Sequence, residues 1–127
     1  MIRSPAWLRR FALGLVMLGA AQILSTYPML KTIWKPLPLE TLLMGMWNHI
    51  AAGLWVAGSG MLLGMLAESA KDPEAVWPGP LARGVANVLL VGGLLAPALM
   101  WTNPFSWITA VLALGSWWAT RKVDRVR

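Results

Sequence analysis

The stretch LLMGMWNHIAAGLWVAGSGMLLGML, residues 42–66, decides the fold class of this chain. It contains no Asp, Glu, Lys or Arg. An α-helix needs about 20 apolar residues to cross the ~30 Å hydrocarbon core of a bilayer, so these residues predict a membrane-spanning helix. The stretch nevertheless contains Asn48 and the one histidine of the chain, His49. An ionisable group inside a membrane helix is a candidate functional residue.

The composition of the whole chain indicates the same class. Of its 127 residues, 57% are hydrophobic and 13% are charged, whereas about a quarter of the residues in a soluble domain are charged. We therefore predict a single transmembrane domain over residues 1–127. The chain has no cysteine, which excludes disulfides, thiolate catalysis and cysteine metal sites. A single histidine also excludes a multi-histidine metal site within one copy.

Four apolar segments of the chain are long enough to be membrane spans. We predict an all-α bundle of four transmembrane helices, at about residues 11–26, 42–66, 81–101 and 105–120. The connector at 27–39 contains three prolines, which lack the amide N–H that a continuous helix needs. Residues 68–80 are polar and predict a loop. Before the last span, Asn103 is a suitable N-cap and Pro104 suits the first helical position.

The distribution of basic residues predicts the orientation. Four spans place nine of the eleven basic residues on one side of the membrane, and an excess of Lys and Arg marks the cytoplasmic side. We therefore expect a multi-pass protein of a bacterial-type inner (plasma) membrane with both termini cytoplasmic. The net charge of +6 then faces anionic lipid rather than nucleic acid. The nine basic residues are Arg3, Arg9, Arg10, Lys71, Arg83, Arg121, Lys122, Arg125 and Arg127.

Small residues follow one face of the second span. At about 100° per residue, one arc carries His49 and a row of glycines. Small residues let membrane helices approach closely, so this span is predicted to be the central packing helix. Contacts within the chain are favoured over self-association. The predicted packing glycines are Gly45, Gly53, Gly60 and Gly64.

His49 has three interpretations. In the first it is a neutral, hydrogen-bonded contact between helices or subunits, and this one carries the most weight. In the second it ligates haem, chlorophyll, or copper together with a methionine such as Met46, because thioethers suit soft copper. In the third it serves a small transporter, although no span offers the acidic partner expected for proton coupling. The polar groups available as its partners are Asn87, Gln22, Ser59 and Thr109.

A local resemblance bears on the second interpretation. The segment HIAAGLWVAG, residues 49–58, resembles membrane helices of copper-resistance D-type proteins and of cytochrome-b-like bundles. This resemblance implies a role for His49 in binding metal or haem. Because the chain has no second histidine, it cannot ligate a haem through two histidines of one copy. The length and the four spans also resemble those of small multidrug transporters, but the first span lacks their membrane-embedded glutamate.

These features favour a small accessory or structural subunit of a larger inner-membrane complex of the respiratory, photosynthetic or transport kind. Such a subunit needs apolar helices, close-packing faces and interfacial tryptophans, and all three are present. The alternatives are a haem-, chlorophyll- or copper-binding protein that uses His49, and a small transporter. An enzyme is not expected, because no nucleophile is paired with a base in any span. The expected partners are the lipid bilayer and other membrane subunits or further copies of the chain.

Overall fold

The computed structural model describes residues 5–72 and 74–125, and this part of the chain is helical without strands. The prediction of an all-α protein is therefore confirmed. The helices are α1 (Ala6–Leu24), α2 (Thr26–Lys31), α3 (Leu39–Ser69), α4 (Gly79–Leu99) and α5 (Pro104–Arg125).

Three helical stretches of the described residues are long and apolar enough to cross a bilayer. They are Ala6–Lys31, which joins α1 and α2, then Leu39–Ser69 and Gly79–Leu99. These stretches correspond to the first three predicted spans. The fourth, α5, is less apolar because it carries three tryptophans and several hydroxyl residues along its length.

The four long helices form a ring in which sequence neighbours run antiparallel. α1 packs against α3 and α5, while α4 packs against α5 and, less extensively, α3. The start of α1 lies beside the end of α3, where the Arg9 Nε atom is 2.8 Å from a Glu68 carboxylate oxygen. It also lies beside the end of α5, where the rings of Trp7 and Trp118 meet edge to face. One end of the bundle therefore holds the start of α1 and the ends of α3 and α5.

Each pair of neighbouring helices meets where one of them has a glycine. On α1 and α3, Gly19 faces Gly53, and an added Cβ at Gly19 would lie 2.5 Å from the Gly53 carbonyl oxygen. On α4 and α5, a Cβ at Gly93 would lie 2.7 Å from the Cβ of Ala113. The two other contacts put an aromatic ring over a glycine, Trp55 over Gly92 and Phe11 over Gly115. These contacts set the spacing between the helices.

The core consists of leucines and alanines from the four long helices, closed at one end by an aromatic side chain. Leu15, Leu63 and Leu89 are fully buried. Trp77, in the loop before α4, is also buried, with 1% of its surface exposed. Trp77 belongs to the same hydrophobic core cluster as these leucines.

The helix bounds differ from the predicted spans most clearly after α1. The connector predicted at 27–39 begins with α2, which includes Pro28. Pro28 lacks the N–H that would bond to the Leu24 carbonyl, and α1 ends at Leu24. In α2 the same proline lies in the first turn, where a backbone N–H would have no hydrogen-bond partner within the helix. The proline therefore breaks the helix without ending the helical stretch.

The helices at the two ends of the chain are longer than the predicted spans. α1 begins at Ala6 instead of 11 and includes Arg9 and Arg10, and α5 continues to Arg125 instead of 120. Arginine and lysine are good helix formers, so a helix continues beyond the edge of its apolar run. At the start of α5 the predicted cap is confirmed, since the Phe105 N–H donates to the Asn103 side-chain oxygen at 3.0 Å.

Candidate functional site around His49

His49 lies inside the bundle, near the end that is remote from Arg9 and Glu68. It is in the third turn of α3, and 7% of its surface is exposed. The opposing segment is the junction of α1 and α2, which contributes Gln22 and Ser25. The antiparallel packing of α1 and α3 brings these residues together, although they are 24 and more positions apart in the sequence.

Two hydrogen bonds join α1 to α3 at this level. The Gln22 side-chain amide donates to the His49 backbone carbonyl at 3.2 Å. The Ser25 hydroxyl lies 2.9 Å from His49 Nε2, and it also donates to the Gln22 carbonyl at 2.7 Å. A hydroxyl has one proton to give, and its shorter bond is to the Gln22 carbonyl. In the tautomer that carries a proton on Nε2, the Ser25 oxygen accepts from His49, and Nε2 is then not free to ligate a metal.

The imidazole ring is held on two sides by aromatic rings. Trp34, in the connector after α2, meets it edge to face with centroids 5.6 Å apart. Phe105, at the start of α5, meets it edge to face at 5.9 Å. Edge-to-face pairs contribute about 0.5–1.5 kcal/mol each beyond their buried area. His49 therefore links α1, α3, α5 and the connector.

The sequence named four polar residues as available partners, and one of them contacts His49. Gln22 bonds to its carbonyl. Thr109 instead donates to the carbonyl of Phe105, Asn87 is exposed on α4, and Ser59 is half-buried on α3. Sequence reasoning missed Ser25, Trp34 and Phe105. Ser25 lies one turn after Gln22 on the same face, which was the one available signal.

A small cavity is lined by Gln22 and Phe105, which contact His49, but not by His49 itself. This cavity of about 50 Å³ lies between α1, α3, α4 and α5, and its polar lining comes from Gln22, Asn103, Ser106 and Thr109. This is room for a water molecule or two, and it does not fit a porphyrin. Of the methionines on α3, Met46 is half-buried one turn before His49, whereas Met44, Met61 and Met65 are exposed. Within residues 5–72 and 74–125, no three His, Cys, Asp or Glu residues cluster as a metal site would require.

Ser25 and His49 form the one pairing of a hydroxyl with a base at this site. Nucleophilic catalysis needs the hydroxyl to give its proton to the base, and a third group to orient the base. Here the shorter hydrogen bond of Ser25 is to the Gln22 carbonyl, and the other described contacts of the imidazole ring are with two aromatic rings. These described contacts include no third polar group that would orient the base.

The four predicted packing glycines lie in two kinds of surroundings. An added Cβ at Gly53 would lie 2.7 Å from the Ile23 side chain and 2.9 Å from the Gly19 carbonyl oxygen. At Gly60 it would lie 2.7 Å from the Ala12 carbonyl oxygen. The nearest atoms are 3.8 Å away at Gly45 and 3.7 Å away at Gly64, which is ordinary contact. The close approach of α3 to α1 therefore depends on Gly53 and Gly60.

Comparisons with protein-family models, with characterised protein sequences and with solved structures found no match to this chain. The local resemblance of residues 49–58 therefore stays a prediction.

Proposed function

We propose that the chain is a four-span protein of a bacterial-type inner membrane with both termini in the cytoplasm. With 22 residues, α5 is about 33 Å long, enough to cross a hydrocarbon core of about 30 Å. The charges support this orientation, because the two lysines of the connector lie at the opposite end from the other basic residues of the described chain. Those residues are Arg9, Arg10, Lys71, Arg83, Arg121, Lys122 and Arg125.

Within that membrane we propose that the protein is a small structural subunit of a larger assembly. The observation that carries the proposal is the contrast between two adjacent residues of α3. His49 faces inward and is bonded and enclosed. Asn48 faces outward and has no hydrogen-bond partner among residues 5–72 and 74–125. An unsatisfied amide in hydrocarbon is costly, and interhelical contacts are where membrane proteins use such groups.

The surroundings of Asn48 suit a helix of another subunit. Asn48 lies about 13 Å from the start of α3. Its exposed neighbours on the helix are Met44, Trp47 and Ala51. Further along the same face is Gly58, where an added Cβ would have nothing within 4 Å. The face thus offers a polar amide and, farther along, open space beside Gly58. The enclosed His49 favours this role over a cofactor-binding protein or a transporter.

Native electrophoresis of mildly solubilised membranes tests the proposal. We expect the chain to migrate in an assembly with at least one other polypeptide in fixed ratio. Asn48→Leu should release most of it, and Val111→Leu, which changes an exposed residue of α5 outside this face, should not. A chain of 13.9 kDa that migrates alone, or only with copies of itself, contradicts the proposal. A visible absorption band lost in His49→Ala would support the cofactor alternative instead. Proton flux in liposomes that needs His49 would support the transporter.

A further inference from the structure

An open groove lies between α1 and α3. Its volume is about 680 Å³. The floor is made of small residues, among them Ala12 and Gly64, whose added Cβ would still be 3.7 Å from Ala12. The walls are Leu13, Met61 and Met65, each of them more than half exposed. This part of the groove is apolar and faces outward.

One end of the groove is charged. Arg9, Arg10 and Glu68 line it. Glu68 is shared, because Arg9 approaches it at 2.8 Å and Lys71 binds its other oxygen at 2.5 Å. The Arg10 guanidinium lies over the ring of Trp7, 4.9 Å from its centroid, and has no carboxylate partner in the described chain. Three cations with one shared acid leave this end positive.

The groove starts at the charged end of the bundle and closes inside it. It extends along α1 from Ala6 to Val16, about 15 Å at 1.5 Å per residue. The span predicted from residue 11 places Arg9 and Arg10 at the headgroup level, so about 9 Å of the groove lies in the hydrocarbon core. At its inner end α1 and α3 come into contact at Gly60, where an added Cβ would lie 2.7 Å from the Ala12 carbonyl oxygen. The groove therefore has the length of a headgroup and the first part of one acyl chain.

We propose that this groove binds one anionic phospholipid of the cytoplasmic leaflet. This inference rests on the proposed orientation but not on the proposed subunit role. Arg10 and Arg9 hold the phosphate, since a guanidinium is suited to bidentate phosphate recognition. One acyl chain lies on the Ala12–Gly64 floor, between Leu13 and the two methionines. Methionine is flexible and adapts to an irregular apolar ligand. The positive end distinguishes a lipid from an apolar partner helix, which has no group to place there.

The test uses the full chain in detergent with phosphatidylglycerol or phosphatidylcholine of identical acyl chains. Native mass spectrometry measures retained lipid, and tryptophan fluorescence measures the melting temperature. We expect one retained phosphatidylglycerol per chain and a higher melting temperature than with phosphatidylcholine. Arg10→Gln should weaken phosphatidylglycerol binding about tenfold, as expected for one charge-assisted hydrogen bond. Lys122→Gln, which removes a charge outside the groove, should leave the binding unchanged.

A second pair of variants tests the acyl site. Gly64→Leu fills the groove and should abolish retention of both lipids, whereas Gly58→Leu projects into open space on the same helix and should retain them. If Gly64→Leu does not fold, Met61→Trp closes the groove from its exposed wall and carries the same expectation. Equal binding of the two lipids by the unmodified chain would overturn the proposal. Lipid retention by Gly64→Leu would also overturn it. So would a change in the oligomeric mass of Gly64→Leu without a change in its lipid content.

Discussion

Replacing Gly60 by alanine tests the packing of α3 against α1. The new Cβ would lie 2.7 Å from the Ala12 carbonyl oxygen, 2.8 Å from the Leu15 Cβ and 2.9 Å from the Val16 nitrogen. Ordinary contact begins at 3.4 Å, so the helices must separate by about 0.7 Å, the difference between 3.4 and 2.7. Two of the three atoms are backbone and the third is a Cβ, so none can move aside alone. Overpacking of this kind costs about 1–3 kcal/mol.

The matched control is Gly64→Ala, one turn later on the same helix. Its Cβ would be 3.7 Å from the nearest atom, the Ala12 Cβ, and so meets no obstacle. An alanine in place of a helical glycine gains up to about 1 kcal/mol. Gly60→Ala gains the same helix propensity, so the two variants differ by the overpacking alone, about 1–3 kcal/mol, with Gly60→Ala the less stable. The sequence motif alone, with glycines at both positions, predicts equal effects.

The assay is reversible unfolding in mixed detergent micelles, followed by tryptophan fluorescence. The unmodified chain, Gly60→Ala, Gly64→Ala and Gly58→Ala are compared under one condition. Gly58→Ala reports the gain in helix propensity alone, because nothing lies within 4 Å of its added Cβ. If Gly60→Ala unfolds at the same midpoint as Gly58→Ala, the close contact of α1 with α3 is refuted.

Three further outcomes follow from the site and the caps. His49→Ala should lower the free energy of unfolding by about 2–3 kcal/mol, the sum of two aromatic contacts and one hydrogen bond, and Ser25→Ala should lower it by about 1 kcal/mol. If the denaturation midpoints of the two variants fall equally, the packing of the imidazole ring against Trp34 and Phe105 is refuted. A fluorophosphonate probe should leave Ser25 unlabelled, since its proton is directed to a carbonyl, and labelling that His49→Ala removes would reveal a catalytic pair. Asn103→Ala should cost about 0.5–2 kcal/mol through the lost cap on Phe105, while Thr102→Ala at the exposed turn should be neutral by the same measurement.

The sequence was sufficient for the helical class and for the main packing helix. A run of 25 residues without charge permits a membrane helix and little else, and its small residues indicated the face that meets other helices. Periodicity places residues on a face but does not fix the register between two helices. Gly60 and Gly64 share a face, yet α1 approaches closely at the first and leaves a groove at the second.

The partners of His49 show the same limit. Ser25 contacts it because the helix breaks at Leu24 and continues as α2, which sets where that hydroxyl lies. Trp34 reaches it from a connector whose path depends on three prolines. Such contacts depend on tertiary packing, so composition and periodicity do not predict them. Side chains satisfied within their own helix, such as Ser116 with its bond to the Leu112 carbonyl, are also indistinguishable in sequence from those that join helices.

Cysteine-accessibility mapping tests the proposed four-span topology most directly, and both the subunit role and the lipid groove depend on that topology. The chain has no cysteine, so single substitutions need no altered background. In spheroplasts, a membrane-impermeant maleimide should label Thr32→Cys and Thr102→Cys from outside. Val76→Cys and Lys122→Cys should be labelled only after permeabilisation. Labelling of Thr102→Cys and Lys122→Cys from the same side would show that α5 does not cross the membrane, and would contradict the account.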